Sequence, residues 1–275
     1  MIKLIAIDLD GTALLNETAL HPYNVEIIKK YQKLGYKFLI ATGRPYRSSK
    51  KFYDELNLDT PLINYNGSYI HDTKESDFID KITTVNHIDV IQIEKDLKEY
   101  LCNIMCEYED DVYIHENDEW INDFFWQDDI PVKYGYMKDN LKIDPCTFII
   151  EVKDANDAPI IMEYMKKYPQ YSCRFWSGKY NHFAEIVPLG IDKAAGIKYV
   201  INYLGIKEDE VLTIGDAGND VGMMKEFEES CAMLNGEKEV IENAKYITKF
   251  DNKNGGVGHF LAEYLDNKGA VKKLN

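Results

Sequence analysis

Asp8 and Asp10, one residue apart, bring two carboxylates to the same side of an extended chain. Such a pair can divide labour: one carboxylate attacks as a nucleophile while the other handles protons. Gly11 follows, permitting a tight turn with the backbone close to a ligand. A third carboxylate, Asp216, and a hydroxyl, Thr42, stand at the ends of other short apolar runs. Any one of these aspartates, taken alone, reads more simply as a cap for the turn or helix after it. As a set they would repel one another, and a divalent cation is the simplest compensation. An open, all-oxygen donor set suits Mg2+.

Two further stretches gain meaning beside these acids. In Ala41-Thr42-Gly43-Arg44, the following Pro45 can open a helix, whose first N–H groups are available to an anion. Asp192 reads as an N-cap, which puts Lys193 in the first turn of its helix. A cation there faces the positive end of the helix dipole, an unfavourable arrangement unless an anion sits nearby. A solitary lysine at that position would read as a solvated surface residue.

The elements that must carry these residues follow from the apolar pattern. Residues 3–8 form a continuous apolar run closed by an acid, which suits a strand buried on both faces of a parallel sheet. Pro22 starts a helix with Val25, Ile28 and Tyr31 at helical spacing, and Gly35 stops it. Residues 37–42 give a second buried strand, and a helix with Phe52 and Leu56 on one side comes next. Strand, helix, strand, helix is the rhythm of a βαβ protein. Asn66-Gly67 reads as a hairpin turn between 61–65 and 68–71. From about residue 84 the character changes. The pattern predicts a helix over 90–106, short aromatic-rich segments at 112–115, 120–126 and 146–152, a helix over 158–168, and strands at 172–176 and 182–187. Trp120, Phe124, Phe125 and Trp126 fit helical core spacing. The βαβ rhythm resumes at Asp192 with a helix to Leu204, the stop Gly205, and a strand over 211–215.

Composition bounds the function. The 275 residues include 47 acidic and 32 basic side chains, a formal charge of −15. That excess argues against a nucleic-acid or anionic-membrane surface, which needs a dense basic face. The longest uncharged stretch is the twelve residues 60–71, well short of a membrane span. Asp8 and Asp10 come too early for a signal-peptide apolar region, so a cytoplasmic protein is expected. The five cysteines, 102, 106, 146, 173 and 231, form no Cys-x-x-Cys pair and are expected as reduced thiols with no metal role.

Asp8-Leu9-Asp10-Gly11-Thr12 resembles the Asp-x-Asp-Gly-Thr signature of the haloacid dehalogenase (HAD) superfamily, in which the first Asp becomes an aspartyl-phosphate and the second is general acid, then base. Ala41-Thr42-Gly43-Arg44 is similar to that family's second motif, Lys193 to its third, and Gly215-Asp216-Ala217-Gly218-Asn219-Asp220 to its fourth, Gly-Asp-x-x-Asn-Asp. Many relatives carry Asn where Ala217 stands. Ala232-Met233-Leu234-Asn235-Gly236 is similar to the family's Ala-Met-Gly-Asn-Ala, with Leu234 and Gly236 as departures. Asn66-Gly67-Ser68 resembles a segment found near the family's cap hinge. The resemblance implies catalysis by Asp8 and Asp10. It implies phosphate binding by Leu9, Thr42, Gly43, Lys193 and Asn219, with metal held by Asp8, the Asp10 carbonyl and Asp216, and Asp220 supporting from behind.

By the same resemblance the fold is α/β. A Rossmann-like HAD core with a parallel sheet spans 1–83 and 189–275, and an inserted α+β cap of the C2B type spans 84–188, as in the Cof-type, or IIB, phosphatases. The implied activity is Mg2+-dependent hydrolysis of small phosphomonoesters, sugar phosphates foremost, with pyridoxal phosphate, flavin mononucleotide and nucleotides as other candidates. A phosphomutase or phosphotransferase on the same core is the near alternative, and a non-catalytic phospho-ligand-binding protein the distant one. Arg44, Asn66, Arg174, Lys179 and His182 are candidates for substrate specificity, although 174–182 reads somewhat more simply as an ordinary cap hairpin packed on Tyr168 and Tyr171. The expected partner is a small phosphate ester, with neither nucleic acid nor membrane, and the chain is expected as a monomer or weak homo-oligomer.

Overall fold

The computed structural model describes residues 1–74, 76–117 and 130–266; Trp120, Phe124, Phe125 and Trp126 lie outside them. In chain order the first half builds β1 (Leu4–Ile7), α1 (Pro22–Gln32), β2 (Lys37–Ile40), α2 (Tyr46–Leu56), β3 (Leu62–Asn64) and β4 (Tyr69–His71). All four residues of β1 are buried, and Leu4, Ile5 and Ile7 each contribute roughly 1.5–3 kcal/mol. Pro22 stands at the start of α1, whose first turn is capped by His21 Nδ1 accepting from the Tyr23 N–H at 3.2 Å. Ile27, Ile28 and Tyr31 are its buried stripe.

Next come α3 (His87–Leu97), β5 (Leu101–Tyr108), β6 (Asp111–Ile114), β7 (Val132–Tyr134), β8 (Thr147–Val152), α4 (Ala158–Met165), β9 (Tyr171–Phe175) and β10 (Phe183–Pro188). The chain then forms α5 (Lys193–Leu204), β11 (Val211–Gly215), α6 (Val221–Glu226), β12 (Glu229–Ala232) and β13 (Tyr246–Ile247).

Two principal sheets result. One is wholly parallel, in the order β13-β12-β11-β1-β2. Ala41 continues it by bridging Ile63. Because β1 has β2 on one side and β11 on the other, the chain leaves β1 in one direction and later fills the opposite side. That reversal is a switch point, where the carboxyl ends of neighbouring strands open a crevice. The second sheet runs β7-β6-β5-β8-β10-β9 and is antiparallel except for the β6–β7 pair. By their contacts, Met1–Arg44, Ser49–Lys81 and Asp192–Asn275 group into one compact unit, and Pro45–Ser48 with Ile82–Ile191 into another. The fold is α/β with a parallel core sheet.

The helix expected over 90–106 is overturned. It ends at Leu97, a turn is closed by the Tyr100 N–H on Leu97 O at 2.8 Å, and Leu101–Tyr108 is the longest strand described. β5 is hydrogen-bonded on both edges, to β8 and β6. It is buried along nearly all its length, so its apolar residues carry no period that separates strand from helix. Cys102 and Cys106 therefore lie on a strand, the first exposed and the second buried. None of Cys102, Cys106, Cys146, Cys173 and Cys231 is in a disulfide. Among the described residues, no helix is long and apolar enough to cross a membrane.

Candidate active site

Asp8 begins where β1 ends, and its N–H donates to Ile214 O of β11 at 3.0 Å. This register brings the turn after β1 against the turn after β11. Gly11 shows how close they are: at φ 71°, a Cβ on it would lie 2.1 Å from Asp216 Oδ2. Only glycine meets both the left-handed backbone and that approach. Thr12 Oγ1 donates to Asp216 Oδ1 at 2.8 Å, and Asn235 Nδ2 donates to Gly11 O at 2.8 Å, so the turn is held from two sides.

Lys193 is the centre of the cluster. Asp192 caps α5, its Oδ1 accepting from the Ala195 N–H at 2.7 Å, which aims the next side chain inward. The lysine is wholly buried and its Nζ donates to Asp8 Oδ1 and Asp220 Oδ1, each at 2.6 Å. Asp220 spends its other oxygen on the N–H groups of Asp216 and Ala217, at 2.8 and 3.0 Å. It is packed so tightly that a Cβ on Gly215 would meet its Cγ at 2.4 Å.

Asp8, Asp216 and Asp220 can each point a carboxylate oxygen to within 4.8 Å of the others. Three acids around one lysine leave the site short of positive charge. Burial, assisted by Asp220 and Asp10 and opposed by Lys193, raises Asp8 to about 7. Burial with Asp8 and Asp220 raises Asp216 to about 9, against the Thr12 hydrogen bond. For Lys193, burial pulls downward, but Asp220 and Asp8 outweigh it and the ammonium is strongly favoured. Both Asp220 oxygens are committed to protein donors, so Asp8 and Asp216 are the better cation ligands of the three.

The loop after β2 supplies a different surface. Thr42 is fully buried, and its Oγ1 accepts from the Arg44 N–H at 3.1 Å, which leaves its own proton to donate. Gly43 follows it and is half-buried, while Leu9 is buried in the turn after Asp8. Arg44 lays Nε and Nη2 on the two oxygens of Asp10, at 2.7 and 2.5 Å, and Nη2 also donates to Glu17 O at 2.9 Å. Its guanidinium is thus spent largely on Asp10, which the sequence did not foretell. Asn66 Oδ1 accepts from Asn219 Nδ2 at 2.9 Å.

These residues share the first compact unit. Arg174, Lys179 and His182 belong to the second and have partners there. Arg174 Nη2 pairs with Glu185 at 3.0 Å, Lys179 lies 4.6 Å over the Tyr180 ring, and His182 packs on Phe183 with Glu151 at 4.0 Å. Thr12 and Asn235, outside the expected site set, are drawn in by contacts no local pattern could reveal.

Residues 5–261 match the family model described as haloacid dehalogenase-like hydrolase. Two curated proteins of Bacillus subtilis (strain 168), both called 5-amino-6-(5-phospho-D-ribitylamino)uracil phosphatase, are similar to the chain. YitU is 32% identical over 95% of this chain and 97% of its own length. YcsE is 30% identical over 92% of each. Among solved structures, the HAD subclass IIB sugar phosphatase BT4131 superposes with a TM-score of 0.79 at 20% identity, covering 98% of this chain and all of its own. The chain belongs to the haloacid dehalogenase-like hydrolases.

Proposed function

We propose that this hydrolase is a Mg2+-dependent phosphatase of small phosphomonoesters, acting through a phosphorylated Asp8. The observation that carries the reading is the buried Lys193 held between Asp8 and Asp220, with Asp216 beside them and positive charge lacking. An anion-handling lysine, two unneutralised carboxylates and a proton-handling acid at one switch point suit phosphoryl transfer, where positioning and electrostatics do most of the catalysis.

Lys193 occupies Asp8 Oδ1, so Oδ2 is the nucleophile. It forms a bond to phosphorus as the ester P–O bond breaks, and Asp10 gives its proton to the leaving alcohol. Asp10 then takes a proton from water, whose oxygen attacks phosphorus and returns Asp8 as a carboxylate. The Thr42 hydroxyl, the Gly43 and Leu9 backbone, Lys193 and Asn219 receive the phosphoryl oxygens. Arg44 keeps Asp10 in the turn and must give up part of its fork when Asp10 is protonated. Asp8, Asp216 and the Asp10 carbonyl would hold Mg2+. The donors are all oxygen, and the raised carboxyls of Asp8 and Asp216 mark the place where charge is missing. When bound, the ion supplies positive charge toward the transferring oxygens.

The substrate class is a phosphomonoester on a sugar or sugar-alcohol chain. The name of the two B. subtilis relatives supports this, since a 5-phosphoribityl group is such a chain. The test is a panel of sugar phosphates, 5-amino-6-(5-phospho-D-ribitylamino)uracil, pyridoxal phosphate, flavin mononucleotide and nucleotides, with Mg2+ and with chelator. Turnover concentrated on the polyol esters and lost on chelation is expected. Activity that survives exhaustive chelation would contradict the metal role.

A further inference from the structure

Three consecutive residues, Tyr65, Asn66 and Gly67, stand at φ 48°, 54° and 106°. Glycine takes such angles freely and asparagine tolerates them, but a buried tyrosine does not. Backbone held against its preference is kept only where surrounding contacts over-determine it. Here the contacts reach three parts of the site. The Asn66 N–H donates to Thr42 O at 3.0 Å and the Tyr65 N–H to Arg44 O at 3.3 Å, tying the turn to the loop after β2. Gly67 lies against the start of the helix that carries Lys193, where a Cβ would stand 2.5 Å from Asp192 O. The Asn66 side chain fills the space between. Its amide atoms lie 3.3 Å from where a Cβ on Gly43 would be, and its Oδ1 accepts from Asn219 Nδ2 at 2.9 Å.

Resting on the phosphatase reading, we propose that Asn66 is a positioning residue of the phosphoryl site. It holds the Asn219 amide and the Gly43 peptide in fixed relation, so that both meet the phosphoryl group without rearranging. The left-handed turn is what brings its carboxamide between them. Asn66 acts through Asn219 and not on the leaving group, which separates this role from substrate selection. Its removal should therefore cost the same factor whatever alcohol departs.

The test compares Asn66→Gly, Asn219→Ala and the double variant with the wild-type chain, using p-nitrophenyl phosphate and the best polyol ester of the panel. Asn66→Gly keeps a residue at ease at φ 54° and removes the side chain that carries the amide. Its kcat should fall about tenfold or more on both esters, the scale of a hydrogen bond serving a charged group, with KM moving less and the unfolding midpoint not lowered. Asn219→Ala should fall comparably, and the double variant no further than the worse single one, because both remove one coupled unit. Wild-type kcat in Asn66→Gly, losses that multiply in the double variant, a loss confined to one leaving group, or a kcat loss matched by a lowered unfolding midpoint would each overturn the proposal. Asp8→Asn runs alongside. If it keeps wild-type turnover, the phosphatase reading falls and the proposal with it. If it is inactive, an unimpaired Asn66→Gly overturns the proposal alone.

Discussion

Replacing Lys193 by methionine removes a charge while keeping an unbranched chain of similar reach, so little cavity accompanies the change. What remains is Asp8 and Asp220, each formerly 2.6 Å from Nζ, buried with no cation between them. Breaking a buried pair by deleting one partner costs about 3–5 kcal/mol. The carboxylates can relieve this by taking a proton, and that relief grows by about 1.4 kcal/mol per pH unit for each group that does so. Without Lys193, Asp8 rises further above the value of about 7 it already has. At pH 8 the variant should therefore show most of the roughly 3–5 kcal/mol loss. At pH 6 one proton taken up stabilises the variant by about 2–3 kcal/mol, but the wild-type chain, with Asp8 at about 7, gains about 1.4 kcal/mol over the same range, so about 1–1.5 kcal/mol of the loss should return. At about 2–4 °C per kcal/mol for a chain of this size, the pH 8 loss corresponds to roughly 6–20 °C in unfolding midpoint. The assay is thermal unfolding of wild-type and variant protein at both pH values in chelator. An equal drop at pH 6 and pH 8, or none, would refute the reasoning, because the site would not then be short of positive charge.

The wild-type protein should show the same shortage in milder form. Asp8 and Asp216 have folded values above their ordinary 3.8, so between about pH 4 and pH 9 these two groups hold more protons in the folded chain than in the unfolded one. Stability in chelator should fall as pH rises through that window, and saturating Mg2+ should flatten the slope; a slope of opposite sign, or one indifferent to Mg2+, counts against the site. Gly11→Ala sets a methyl 2.1 Å from Asp216 Oδ2 at a left-handed position. It should abolish turnover and lower stability by at least about 1–2 kcal/mol in denaturant unfolding. Arg44→Gln frees the carboxylate of Asp10, so kcat/KM should fall more on an alkyl phosphate, which needs its leaving oxygen protonated, than on p-nitrophenyl phosphate; equal losses would mean that Arg44 does not serve the acid.

The parts of this site legible in the sequence are those fixed by short-range chemistry. Asp8, Thr42 and Asp216 follow short apolar runs that suit buried strands, and Asp192 before Lys193 has the residue type of a helix cap. The unforeseen parts are long-range. Thr12 meets Asp216 across 204 residues, Asn66 meets Asn219 across 153, and Arg44 reaches back 34 to Asp10. No local period encodes which side chain lies opposite another once β1 and β11 are in register. The same limit explains the helix expected over 90–106. Leu101–Tyr108 is buried on both faces, so its apolar residues lack the alternation that would have distinguished it from the end of α3. The strain at Tyr65 was equally hidden, since Asn66-Gly67 announces a turn but not that the residue before it shares the left-handed backbone.

Phosphorylation of Asp8 is the claim on which the rest depends, and it can be measured without knowing the natural substrate. In Asp10→Asn, the first step should still proceed with an ester whose leaving group needs no proton, while release to water should be slow. Incubated with p-nitrophenyl phosphate and Mg2+, then quenched in acid, that variant should carry one added phosphoryl group by intact mass, and peptide mapping should locate it on Asp8. An adduct on another residue would contradict the account, as would Asp8→Asn protein that turns over esters like the wild-type chain.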